Sequence, residues 1–192
     1  AGTLELAGTA FNSNGLAVAP GLVVAQGTLR LNKTGAGAVG SGWIQVGDEG
    51  GGDGADRLVW AANDQLPDTL LITVGSSGWL DLGTASDTIG SLILNRHGSQ
   101  SAEVTIGPGG QLTLAGNTSL PSTIQVANYG LTDGSTPAAT LTGLGTIQLT
   151  EAAPTIVVAD SFVASTDDDL TVSVVLGGAY SGTPTTFAPG LR

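Results

Sequence analysis

The densest chemistry in this chain lies between Gly51 and Val59. There Gly51-Gly52-Asp53-Gly54-Ala55-Asp56-Arg57-Leu58-Val59 follows the nine-residue calcium pattern Gly-Gly-x-Gly-x-Asp-x-apolar-x. Glycines let the backbone curl so that carbonyls and carboxylates surround a hard cation, which takes about six to eight oxygens. The pattern names Asp53 and Asp56 as candidate calcium ligands. It occurs once, whereas such sites form between successive copies, so a second reading stands beside it: a glycine-rich corner whose acids cap a following helix. Asp167-Asp168-Asp169 offers the same pair of readings, cation ligands or a solvated turn.

His97 is the only histidine and follows Arg96. No nucleophile pattern accompanies it, and a Gly-x-Ser-x-Gly elbow, a His-Glu-x-x-His zinc motif and a phosphate-binding loop are all absent. Glu5, Asp81 and Glu103 occupy outward positions of alternating segments and can line one sheet face, as a polysaccharide-acting site requires. Trp43, Trp60 and Trp79 can stack on sugar rings or pack as core and cap residues. Asn32-Lys33-Thr34 and Asn117-Thr118-Ser119 are formal glycosylation acceptors. The expectation is a protein without a catalytic residue.

The elements that must position these groups announce themselves by repetition. Gly2-Thr3-Leu4-Glu5-Leu6 returns as Gly27-Thr28-Leu29-Arg30-Leu31, and looser copies begin at Gly78, Gly110 and Gly145. Each copy is a small turn residue followed by apolar-polar-apolar alternation, the mark of a strand with one buried face. Units of this size cannot bury their apolar face without a neighbour, so the spacing predicts a solenoid. Strands are expected at Leu4–Leu6, Leu16–Val18, Leu22–Val24, Leu29–Leu31, Trp43–Val46, Leu70–Val74, Trp79–Leu82, Ser91–Leu94, Glu103–Ile106, Gln111–Leu114, Thr123–Val126 and Leu170–Leu176. Two interleaved series, Ile72, Leu92, Leu112 and Leu80, Val104, Ile124, point to two stacked sheets. Leu58, Ala61 and Ala62 between Asp56 and Pro67 predict one short helix over Arg57–Leu66. The fold class is therefore all-β, a right-handed parallel β-helix with one short helix, with an antiparallel sandwich as the alternative. Residues 1–150 form the repeats, and 151–192 form terminal strands and an extended tail able to dock on a neighbouring subunit.

Composition narrows the function classes. With 41% apolar residues the chain can fill a core, and with only 4% aromatics and no Met that core is built from Leu, Ile, Val, Ala and Thr. Five basic against 16 acidic residues leave a net charge of −11, and the basic residues are scattered. Nucleic-acid binding needs a clustered positive surface and is not expected. The same charge repels anionic membranes, and no apolar run reaches the ~20 residues of a membrane span. Cysteine is absent, which excludes a disulfide framework. The start at Ala1 is read as a mature, exported form.

The order Gly2 to Leu6, Asn14-Gly15, Val18 and Gly27 to Asn32 resembles the passenger-associated transport repeat, or autotransporter-associated β-strand repeat. The run from Val46 through Leu66, Val74 to Leu82 and Ile89 to Leu92 is similar to its continuation in large bacterial surface proteins. The resemblance extends to about Gly116. It implies a right-handed parallel β-helix, exported to or beyond a bacterial surface, with no catalytic residue. Strand residues lie close to both termini, so open sheet edges are expected there, and such edges join when uncapped. The reading is a structural, extracellular or cell-surface protein that assembles with itself head to tail into a filament. The alternatives are a stalk or passenger segment of an adhesin, or a polysaccharide-binding or polysaccharide-degrading protein that meets surface glycans. No cofactor other than calcium is expected.

Overall fold

The computed structural model describes residues 1–12, 21–35, 37–40, 42–116, 123–128, 137–151, 153–159 and 168–178. The expected strand Leu16–Val18, the acceptor Asn117-Thr118-Ser119, Asp167 and the tail from 179 onward lie outside them. The chain makes repeated passes, and each pass lays its strands beside those of the pass before. The first three passes carry two strands each: β1 (Thr3–Gly8) and β2 (Leu22–Val24), β3 (Gly27–Lys33) and β4 (Trp43–Val46), β5 (Asp56–Trp60) and β6 (Leu71–Val74). The fourth adds a third strand, giving β7 (Gly78–Gly83), β8 (Ser86–Ile89) and β9 (Ser91–His97), with β10 (Gln100–Ser101) folding back on β9. Then follow β11 (Glu103–Ile106), β12 (Gln111–Leu114) and β13 (Ile124–Asn128), and next β14 (Ala139–Gly143), β15 (Thr146–Leu149) and β16 (Ile156–Val158). Last come β17 (Leu170–Val172) and β18 (Val175–Gly177).

These strands build three sheets. The first runs β1-β3-β5-β7-β11-β14-β17, the second β16-β13-β9-β6-β4-β2 with β10 attached, and the third β18-β15-β12-β8. Every pairing is parallel except that of β10 with β9. The repeated phrase explains the register: Thr3 faces Thr28, Leu4 faces Leu29 and Leu6 faces Leu31. Because side chains alternate across a strand, one apolar row then runs through the first sheet as Leu4, Leu29, Leu58, Leu80, Val104, Leu141 and Val172. Leu29 through Leu141 of that row are buried in one continuous apolar core with the inner faces of the other two sheets.

The glycine that opens the phrase has a steric reason. Gly27 has φ +85°, and a Cβ there would run into the Gly2 carbonyl. At Gly78 a Cβ would strike the Val46 carbonyl and come within 2.9 Å of the Val74 side chain. Successive passes approach too closely at these corners for any larger residue.

The expected right-handed parallel β-helix with one short helix is corrected on several counts. Among the described residues there is no helix, and Asp56–Trp60, where the helix was expected to begin, is a strand. Its residues pair on both sides with β3 and β7, and Val59 and Trp60 suit a pleated surface better than a helical turn. The sheets number three rather than two, and none of them closes. Nor is the pass uniform, since the third sheet begins only at Ser86. Parallel pairing also removes the antiparallel sandwich. The two residue series show where the two-sheet reading went astray. Ile72 does face Leu92 and Leu80 does face Val104, but Leu112 belongs to the third sheet, and Ile124 continues the second opposite Leu92.

On the side that the third sheet later takes, the described residues of the first three passes form no strand. Asn12 donates to the Ala38 carbonyl at 3.0 Å, Ala38 N–H to the Gln65 carbonyl at 2.6 Å, and Gln65 N–H to Asp87 of β8 at 3.0 Å. The third side is thus continuous from Asn12 to the last strand.

Candidate functional site

Of the residues singled out for chemistry, Trp79, Asp81 and Glu103 share one sheet face, and the others are dispersed. Asp53 is exposed in its loop, while Asp56 is buried at the start of β5 and accepts a hydrogen bond from the Ser77 hydroxyl at 2.8 Å. Burial raises the Asp56 pKa, the Ser77 bond opposes that shift, and nearby Asp48 adds to it. Among the described residues no group of three or more His, Asp or Glu is arranged to hold a metal ion. The acids of the loop serve the corner itself: Ser77 Oγ accepts from Asp48 N–H and Glu49 N–H, and its hydroxyl donates to Asp56.

On the outer face of the first sheet Glu103 lies opposite Trp79, and Thr105 opposite Asp81. The Trp79 indole N–H donates to Thr105 Oγ1 at 3.1 Å, and the Arg57 guanidinium sits 4.0 Å from the ring centroid. That ring face is therefore covered by a cation rather than free for a sugar. Asp81 accepts from Gly83 N–H, and Glu103 from Thr105. Glu5 is not part of this group. It stands on the edge strand β1, three strands from β7, bonded by Asn32 at 2.6 Å and 3.8 Å from Arg30. Trp43 is half-buried, and Trp60 is buried in β5. His97 ends β9 with Glu49 3.9 Å from its Nδ1.

Two buried networks escaped sequence reasoning. Asp87 points inward from β8, where the alternation calls for an apolar residue. Its Oδ2 accepts from the Trp60 indole at 2.6 Å, Gln65 N–H at 3.0 Å and Leu66 N–H at 3.1 Å, and its Oδ1 from Thr88 N–H at 2.8 Å. Burial nevertheless dominates and lifts its pKa to about 6. A polar residue at an inward position of Ser86-Asp87-Thr88-Ile89 was the available signal. Arg96, also fully buried, is ion-paired with Asp169 and donates to the Pro137 carbonyl at 2.9 Å and to Asn128 Oδ1 at 3.2 Å. Asp169, read as part of a cation cluster or solvated turn, is instead this buried partner, while Asp168 is exposed.

Most of what remains exposed and apolar among the described residues is on the first and last passes. Of the large hydrophobic side chains left exposed among the described residues, Leu4, Phe11 and Val23 are in the first pass and Val175 and Leu176 in the last; only Leu144 is elsewhere. Leu4 is 63% exposed although it belongs to the row whose middle members are buried. β1 is an edge strand. Gly2 and Gly8 carbonyls accept from Thr28 and Thr34 of the second pass, so by alternation the backbone groups of Thr3, Glu5 and Ala7 face away from β3. At the other end Asp169 O and Ser173 N–H face β14, which leaves Leu170 and Val172 directed outward.

No family model, curated protein or solved structure matches the chain. Function is therefore argued from this geometry. Among the described residues both ends carry unpaired parallel edges over apolar rows, an arrangement suited to binding further strands. No helix among the described residues is long and apolar enough to cross a membrane.

Proposed function

We propose that this protein is a structural subunit of an extracellular or surface filament, joined head to tail through the two ends of its sheets. One observation carries the reading: five of the six exposed large hydrophobics among the described residues are on the first and last passes, and two of them, Leu4 and Leu176, end rows whose other apolar members are buried or half-buried. A contact between unlike ends is heterologous and propagates without closing. The charge of −11 keeps the outer faces soluble while the ends join. The resemblance to surface-protein repeats supports the location.

The same open ends favour a second reading, a spacer in a longer surface protein, where the covering strands come from the same polypeptide. Sedimentation velocity and negative-stain microscopy of the 192-residue chain over a concentration series separate the two. Fibres that lengthen with concentration are expected; a monomer at every concentration overturns the filament and leaves the spacer. Any calcium held by Asp53 would sit in the loop between β4 and β5, away from both ends. A chelator is accordingly expected to leave assembly intact.

A further inference from the structure

The end-to-end reading leaves open which strands meet and in what register, and the backbone decides both. We infer that β1 of one copy adds to β17 of the next as a parallel strand, with Thr3 opposite Thr171 and Leu4 opposite Val172. This inference rests on the filament reading and makes it specific.

Backbone parity is the first argument. In parallel pairing a residue offers both its N–H and its C=O to the same neighbour, and successive residues alternate between neighbours. On β1 the outward residues are Thr3, Glu5 and Ala7; on β17 they are Leu170 and Val172. With Thr3 opposite Thr171, Thr3 N–H reaches the Leu170 carbonyl and Val172 N–H reaches the Thr3 carbonyl. That is the relation by which Thr28 N–H reaches the Gly2 carbonyl, with Thr3 opposite Thr28. A slip of one residue points the wrong groups at the joint and turns Leu4 to the solvent face.

Side-chain continuity is the second. The unslipped register extends the apolar row of the first sheet from Val172 into Leu4, and the outer row from Thr171 into Thr3. It also aligns the third side. Phe11, 55% exposed, follows β1 beside Gly37 at the start of the loop stack, and Leu176, 40% exposed, ends at its far end the row in which Leu112 and Ile147 are buried. One translation along the sheet therefore brings apolar groups together on two sides at once. A like-with-like contact of two β1 edges would leave Val175 and Leu176 uncovered.

The chain has no cysteine, so engineered thiols report the joint without background from native ones. Cα atoms opposed across parallel strands are about 4.8 Å apart, within disulfide reach. Single variants Thr3→Cys and Thr171→Cys of the full chain, mixed under mild oxidation, are expected to give a disulfide heterodimer. Its yield should exceed that of Thr3→Cys mixed with Asp53→Cys, a loop position away from both ends, by at least tenfold. All four positions, with Ser173, are exposed, which keeps the variants folded. Preferential linkage of Thr3→Cys with Ser173→Cys would overturn the register in favour of a two-residue slip. Preferential self-dimers of Thr3→Cys would overturn it in favour of a closed contact. Background linkage in every mixture, with the parent chain still forming fibres, would overturn this pairing and leave the filament standing. A parent chain that stays monomeric removes the filament itself.

Discussion

Asp87 shows how one residue can set a response that the strand around it does not reveal. Four donors surround its carboxylate, yet burial lifts the pKa from 3.8 to about 6. A raised pKa means that the folded state holds a proton which the unfolded chain has already released between those values. The contribution is fully present below pH 4 and is lost as pH rises through about 6, in total roughly 3 kcal/mol. Unfolding midpoints in urea are thus expected to fall from pH 4 to pH 7 on account of this group, and Asp87→Asn should flatten that slope. Asp87→Ala strands the Trp60 indole and three backbone N–H groups and should cost about 3–5 kcal/mol at pH 7, measured by urea denaturation. Little of this was legible in the sequence. The Leu-x-Leu rows announced themselves by period, whereas three of the four donors to Asp87 come from a loop and an indole more than 20 residues away and share no pattern with it.

Strand existence was read more successfully than strand partnership. Trp43–Val46, Glu103–Ile106 and Gln111–Leu114 were expected with the limits they have. The repeated Gly-Thr-Leu phrase also marks neighbours in register. The helix expected over Arg57–Leu66 shows the limit of periodicity, because Leu58 and Ala61 at helical spacing also fit a strand that ends at Trp60 and a bend beyond it. Neither could alternation reveal the third sheet, since Leu92 and Leu112 have the same local pattern in different sheets. Interactions between elements are where the late strands are fixed. Arg96 on β9 reaches Asn128 on β13 and Asp169 just ahead of β17, so one guanidinium ties three passes together. Asp169→Ala removes a charged partner from that buried guanidinium and is expected to cost about 3–5 kcal/mol. Hydrogen exchange should show the loss concentrated in β17 and β18, where few other contacts hold the chain; protection that falls equally across all three sheets would argue against this local role. A deletion beginning at Asp169 is for the same reason a poor test of assembly.

At the scale of the whole molecule the decisive contrast is between rows and their ends. Leu58 and Leu80 are completely buried because a strand lies on each side of them, and Leu4 in the same row is exposed because one side is missing. If a second copy supplies that side, a charge at Leu4 must block assembly while leaving each subunit folded, since the position is largely solvated in the single chain. Natural sheets blunt their edges with lysine for this reason. Leu4→Lys is therefore expected to shift the midpoint of thermal unfolding little. Completing the burial of a leucine is worth on the order of 1–2 kcal/mol, and desolvating an ammonium adds to the difference. The concentration at which fibres first sediment should accordingly rise at least about tenfold, the equivalent of 1.4 kcal/mol. Leu144→Lys is the matched control, because Leu144 is even more exposed but lies at the corner between β14 and β15, on the penultimate pass and not on an end strand. Assembly lost in Leu4→Lys and kept in Leu144→Lys locates the joint at the sheet end. Equal loss in both would instead mean that exposed apolar side chains drive association without regard to position, and the ordered joining of sheets would have to be abandoned.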